Sequence, residues 1–228
     1  MEARMIRPLV VALVLAVSAI GAWADRWSDC KQSADPDRRI RGCTQIIERG
    51  KRERREYRAI AYNNRGLAYQ EKGEVDRAIA DFTTAIKFNP NDARVYTNRG
   101  GAYYVKGEVD RAIADYTKAI ALNPNDATAY CNRGGAYGRK GEVDRAIADS
   151  TKAIALDPND AAAYNNRGLA YGRKGEYDRA VADYTKALAL DPNVALAYTN
   201  RGVSYDKKGE YDRAIADFSK VREIDPSD

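Results

Sequence analysis

The sequence predicts an all-α chain built as a solenoid of stacked helix-turn-helix hairpins. Three observations carry this reading. Asn-Arg-Gly recurs at an unvarying 34-residue step, at Asn64-Arg65-Gly66, Asn98-Arg99-Gly100, Asn132-Arg133-Gly134, Asn166-Arg167-Gly168 and Asn200-Arg201-Gly202, and a fixed step of that length marks a stacked helical repeat. Each copy holds two apolar stripes at helical spacing. A glycine separates the two stripes, and every copy closes on an Asn-Pro or Asp-Pro turn.

The elements follow in order. Met1 to Ala24 reads as a secretion leader: Arg4 and Arg7 form a positive start, Leu9 to Ile20 is a short apolar run, and Ala22-Trp23-Ala24 supplies the small-x-small cleavage pattern before Asp25. The run is short for a membrane span, which needs about 20 residues. The mature chain is therefore expected to begin at Asp25, without a membrane span, in the periplasm or outside the cell. Residues 25–58 read as a worn, capping copy of the repeat followed by a basic linker. Five full units follow at 59–92, 93–126, 127–160, 161–194 and 195–228. In the first, Ala59, Tyr62, Gly66 and Tyr69 form one stripe, and Val75, Ala78, Ile79, Phe82, Ala85 and Ile86 form the other. Gly73 is placed to end the first helix in a left-handed conformation, and Pro90 ends the second because it cannot continue a helix.

Both ends of the array differ from its middle. The column Ile86, Ile120, Ile154 and Leu188 becomes Arg222 in the fifth unit, a polar outer face of the kind terminal repeats need, so the array is expected to stop at Asp228. At the other end, Asp37 to Thr44 aligns with Asp76 to Thr83. That alignment puts Cys43 in the Phe82 column and Cys30 in the Tyr69 column. Those columns should face each other across a hairpin, and an exported protein meets an oxidising compartment. The pair is therefore expected to form a disulfide rather than two buried thiols. Cys131 is the odd one left, read as a free thiol, an intermolecular bridge or simply a small residue. Arg49 to Arg58 reads as a solvated basic face or linker, or as a dock for an acidic partner or an anionic membrane surface.

Composition narrows the function classes. Thirty-eight Lys and Arg against 33 Asp and Glu give a net charge of +5, with the signs mixed through every repeat. That is unlike the one-sided basic stripe of a nucleic-acid binder. The chain has no histidine, which removes the commonest general base and metal ligand. No phosphate-loop motif occurs, and no residues remain outside the repeats for a catalytic domain. The reading is a non-enzymatic chain without a metal or other cofactor.

The order of an aromatic, Gly, Tyr, Ala, an aromatic, Ala and Pro (Tyr62, Gly66, Tyr69, Ala78, Phe82, Ala85 and Pro90 in the first unit) resembles the tetratricopeptide repeat. The resemblance implies a right-handed superhelix whose concave face, lined mainly by the first helix of each hairpin, binds an extended peptide or a partner's helix. Two columns depart from the commoner pattern of that family. Arg65, Arg99, Arg133, Arg167 and Arg201 stand where an apolar residue is usual, and Asp81, Asp115, Asp149, Asp183 and Asp217 stand where Tyr is common. We expect a ladder of partly buried ion pairs, within or between hairpins; the alternative is two solvated columns.

The resemblance places the groove beside the Arg-Gly pairs: Asn63, Thr97, Cys131, Asn165 and Thr199 in one column, and Asn64, Asn98, Asn132, Asn166 and Asn200 in the next. An amide side chain offers both a donor and an acceptor, which suits a peptide backbone; it equally suits the neighbouring helix. Tyr104, Arg139 and Arg173 lie in the variable part of the groove, where partner choice would be written. The paired Lys and Asn that some relatives use to clamp a chaperone's C-terminal carboxylate are missing, since Asn63 and Leu67 stand in two of those positions. The sequence thus points to an exported scaffold that binds a protein or peptide partner in the bacterial envelope. The alternative is a scaffold that self-assembles into homo-oligomers through its last hairpin or Cys131.

Overall fold

The structure is a computed structural model that describes residues 26–224. The leader read over Met1 to Ala24 and the last four residues of the fifth unit lie outside the described residues. Among the described residues every regular element is helical. A short helix α1 covers 26–32. After it come α2 (Pro36–Glu48), a 3₁₀ turn (Gly50–Arg52), α3 (Arg55–Glu71), α4 (Val75–Phe88), α5 (Ala93–Lys106), α6 (Val109–Leu122) and α7 (Ala127–Lys140). The chain continues through α8 (Val143–Leu156), α9 (Ala161–Arg173), α10 (Tyr177–Leu190), α11 (Ala195–Lys207) and α12 (Tyr211–Ile224). The chain divides into two compact units between Ala102 and Tyr103, inside α5.

In the first unit α2 packs on α3 and α3 on α4. Phe82, Ala78 and Ala85 are fully buried, with Tyr69, Val95 and Ala102 completing the cluster. Cys30 and Cys43 are bonded to each other, with Cα atoms 4.6 Å apart, and both sulfurs are sealed from solvent. This crosslink joins α1 to α2 where four of the five full repeats use an aromatic. The basic stretch from Arg49 to Arg58 is not one linker, because α3 begins at Arg55, ahead of the repeat boundary at Ala59. Arg55 stabilises that extra turn: its guanidinium donates to the carbonyls of Phe88 and Lys87, at 2.9 and 3.0 Å. These are carbonyls at the end of α4 that have no partner within the helix. Arg58 lies 4.3 Å over the Phe88 ring.

In the second unit α7 pairs with α8, α9 with α10 and α11 with α12, and each hairpin packs on the next through α8–α9 and α10–α11. The hairpin turns share one device. Gly141 adopts φ +84°, and the amide of Glu142 donates back to the carbonyl of Tyr137 at 2.9 Å, closing the helix in a Schellman turn. The second stripe is pressed against the first at the glycine of Asn-Arg-Gly. A Cβ on Gly168 would stand 2.8 Å from the Tyr184 ring, so only glycine lets the ring lie flat there.

The third unit lacks that ring. Ser150 is fully buried, and its Oγ fills the place beside Gly134, 2.8 Å from where a Cβ would stand. The space left by the missing ring lies one turn further on. The Tyr184 hydroxyl reaches within 3.9 Å of the Cβ position at Gly172, whereas at Gly138 the one neighbour within 4 Å among the described residues is the Cβ of Ala146, at 3.9 Å.

The start of α11 lacks the cap that α7 and α9 carry. Asp126 and Asp160 each accept from the amide three residues on, at 3.1 Å, whereas the equivalent residue before α11 is Val194, which caps nothing. Replacing it by aspartate, Val194→Asp, is expected to raise stability by about 1 kcal/mol, read as a higher urea midpoint with an unchanged slope.

Candidate functional site

The first helices α3, α7, α9 and α11 each carry an Arg that holds the hairpin together. Arg65 donates from Nε and Nη2 to both oxygens of Asp81, at 2.7 and 2.9 Å. Arg133 meets Asp149 in the same way at 2.6 and 2.9 Å. Arg167 meets Asp183, and Arg201 meets Asp217. The carboxylate partner always comes from the same hairpin. The third guanidinium nitrogen turns to the preceding one, donating to Thr44, Thr117, Thr151 or Thr185 at 3.0–3.3 Å. Arg99 donates likewise to Thr83 at 3.1 Å, and Asp115 is buried as deeply as Asp81.

Sequence reasoning missed the threonines. Their signal was present, since each directly follows the residue in the second-helix aromatic column: Cys43-Thr44, Phe82-Thr83, Tyr116-Thr117, Ser150-Thr151 and Tyr184-Thr185.

Tyrosines wall each guanidinium. Arg133 lies 5.6 Å from the Tyr130 ring and 5.8 Å from Tyr137; Arg201 is flanked by Tyr198 and Tyr205. The Asp149 hydrogen bond raises the Arg133 pKa against the opposing effect of burial. For Arg65 burial is the largest influence and pulls downward, yet the Asp81 bond and charge, with smaller help from Tyr69 and Tyr62, carry the balance upward.

Three of the asparagines of the second column join hairpins. Asn64 Nδ2 donates to the Cys30 carbonyl at 3.2 Å, Asn98 Nδ2 to Asn63 Oδ1 at 2.9 Å, and Asn166 Nδ2 to the Cys131 carbonyl at 3.2 Å. Thr97 and Thr199 bond carbonyls of their own helices. Asn132 and Asn200 are half-buried on α7 and α11. Cys131 is only 5% exposed, and burial, with smaller contributions from Asp160, pushes its thiol up to about 12. It is a packed, protonated sulfur.

The structure brings Tyr104, Arg139, Asn165, Asn166 and Arg173 together around one cavity of about 240 Å³. Arg139 Nη1 donates to the Tyr104 carbonyl at 3.0 Å, and its guanidinium lies 5.1 Å over the Tyr104 ring. Arg173 Nη1 donates to the Gly138 carbonyl. These two guanidinium groups thus lean on backbone carbonyls, where those of the ladder close on carboxylates.

Stacked helical hairpins with a polar seam define a helical-repeat protein. This chain belongs to the tetratricopeptide-repeat family: models of that repeat match residues 59–92, 161–194 and 195–228, and a second repeat model of the family matches 100–141 and 139–175. Among solved structures, MamA is 32% identical, with a TM-score of 0.62, over 74% of this chain and 92% of that one. YrrB, described as a tetratricopeptide-repeat protein with an unusual peptide-binding site, is 25% identical with a TM-score of 0.61, over 81% and 93%. TTC0263 of Thermus thermophilus, described as a thermophilic protein of the same repeat, is 26% identical with a TM-score of 0.64, over 75% and 93%. No curated protein sequence is significantly similar to the chain.

Asp183 and Asp178 separate buried from exposed charge. In the Arg167–Asp183 pair the side chains are 19% and 9% exposed, so Asp183→Ala strands a half-buried guanidinium and is expected to cost about 3 kcal/mol in urea unfolding. Asp178 pairs with Lys208 but is 85% exposed, and Asp178→Ala is expected to cost under about 1 kcal/mol.

Proposed function

We propose that this protein is a non-enzymatic scaffold of the bacterial cell envelope that holds a peptide or a partner protein in the concave groove of its repeats. The observation that carries the reading is the division of labour between columns. Arg and Asp repeat in all five units and close the hairpins, with threonines and some of the asparagines joining one hairpin to the next, while the positions of Tyr104, Arg139 and Arg173 vary from copy to copy and line a cavity. Varied side chains on a constant frame suit recognition of one partner. The family supports a protein–protein interaction role, and YrrB is described as having a peptide-binding site.

Export rests on the leader at Met1 to Ala24 and is supported by the buried Cys30–Cys43 bond, a linkage that persists in oxidising compartments. No helix among the described residues is long and apolar enough to cross a membrane. The full-length gene product, recovered from cells by fractionation, is expected in the envelope fraction with an intact mass that begins at Asp25 and carries one disulfide. Crosslinking it there and identifying the attached chain tests the binding role; an uncleaved product in the cytoplasm overturns the location.

A second reading, self-assembly, is favoured by one observation. Tyr211 and Ile215 are each 63% exposed and Phe218 is 38% exposed, which forms an apolar stripe along α12. Cys131 contributes nothing to it, being buried. A single monomeric species in light scattering at high protein concentration would set this reading aside.

A further inference from the structure

The cavity of about 240 Å³ is not a repeat feature; it arises from what the third unit lacks. In the column of Leu67 and Leu169 the third unit has Gly135, and in the column of Gln70 and Tyr104 it has Gly138. It is the one unit in which both of those columns are glycine and the second-helix aromatic is also gone, as Ser150. The result is a notch between α7 and α9, with Val143, Leu169, Ala170 and Leu196 as its apolar wall.

Arg139 and Arg173 stand at this notch, and no carboxylate lines it. Both guanidinium groups are exposed and direct one nitrogen to a backbone carbonyl. Each keeps further donors in a planar fork that matches a carboxylate. Asn165, on the same wall, has a buried side-chain oxygen with no hydrogen-bond donor. A buried acceptor of this kind is destabilising until a donor meets it. The notch therefore offers room for one aliphatic side chain, two cations for one anion, and one acceptor for one N–H.

From this complementarity we infer that the notch is the specificity pocket of the groove, and that it takes a peptide with an aliphatic side chain beside a carboxylate, its backbone N–H meeting Asn165. The inference rests on the peptide-binding reading above. A carboxylate beside an aliphatic group has two sources in a peptide, an Asp or Glu next in sequence or the C-terminus of the chain itself, and the test separates them.

The full chain is titrated by fluorescence polarisation into three labelled probes. These are an N- and C-capped Gly-Gly-Leu-Asp-Gly-Gly, its Leu-Asn counterpart, and Gly-Gly-Leu with a free C-terminus. Binding of the first or third probe, weakened about tenfold or more by Arg139→Gln or Arg173→Gln as the loss of a charge-assisted hydrogen bond requires, is the expected result. The probe that binds names the source of the carboxylate. Gly138→Gln places in the notch the side chain that the first unit carries there. It removes a helix-interior glycine and so spares the fold, and it is expected to abolish binding. Equal affinity for the Leu-Asn probe, no binding by either acidic probe, or unchanged binding by Gly138→Gln overturns the pocket. If the crosslinked envelope partner is still captured by Gly138→Gln, the pocket has failed while the scaffold stands; loss of all capture by the unaltered chain sinks the scaffold itself.

Discussion

An arginine side chain ends in a flat plate with five N–H donors at fixed angles, and in this protein that plate does two jobs at once. One edge closes on a buried carboxylate across the hairpin, as Arg133 does on Asp149. The remaining nitrogen reaches the threonine of the hairpin before it, Thr117 in this case. Folding within a unit and stacking between units are thereby coupled through a single group. A lysine would carry the charge but not the geometry, since its ammonium has no planar fork to engage both carboxylate oxygens while holding a third group at an angle. The tyrosines on either side keep water from the plate, and the glycine that follows the arginine lets the second helix come close enough for the carboxylate to reach it.

Much of this was legible in the sequence because it repeats. The period, the two stripes, the turn glycines and the Arg and Asp columns recur in copy after copy, and a column that never varies declares a structural duty. The threonine partners escaped notice although they repeat equally well, because the hydroxyl sits one residue past an aromatic whose role was already clear. Repetition said less about the asparagines. Their amides were equally fit for a ligand or for a neighbour, and only the structure sets the Cys30 and Cys131 carbonyls opposite Asn64 and Asn166, so that these two join hairpins. The start of α3 at Arg55 was hidden for another reason. The turn is held from outside the local sequence, by carbonyls of Lys87 and Phe88 more than 30 residues away.

The third unit shows how a repeat protein acquires an individual feature. The constant frame does not change there: Arg133, Asp149, Thr117 and the turn glycine keep their places. What changes is volume, with glycines at 135 and 138 and serine at 150. Because each hairpin is stabilised mainly through its own contacts and those of its neighbours, subtraction in one unit leaves the others intact, and the space opens with little loss to the array.

The cations of the seam keep their charge over a wide range of acidity. The chain has no histidine, the side chain that ordinarily changes charge between about pH 5 and 8. The groups that do shift move away from that window. Neighbouring cations pull Asp92, Glu108, Glu142 and Glu210 downward, while hydrogen-bonded carboxylates push Lys140, Lys174 and Lys208 upward. Arg65, Arg133, Arg167 and Arg201 move up as well, so what that shift contributes is fully present below the range where a free arginine titrates, and is lost as the pH rises through the raised value. Across the range in which a histidine would change charge, the cations of the seam therefore stay charged, in mildly acidic and mildly alkaline surroundings alike.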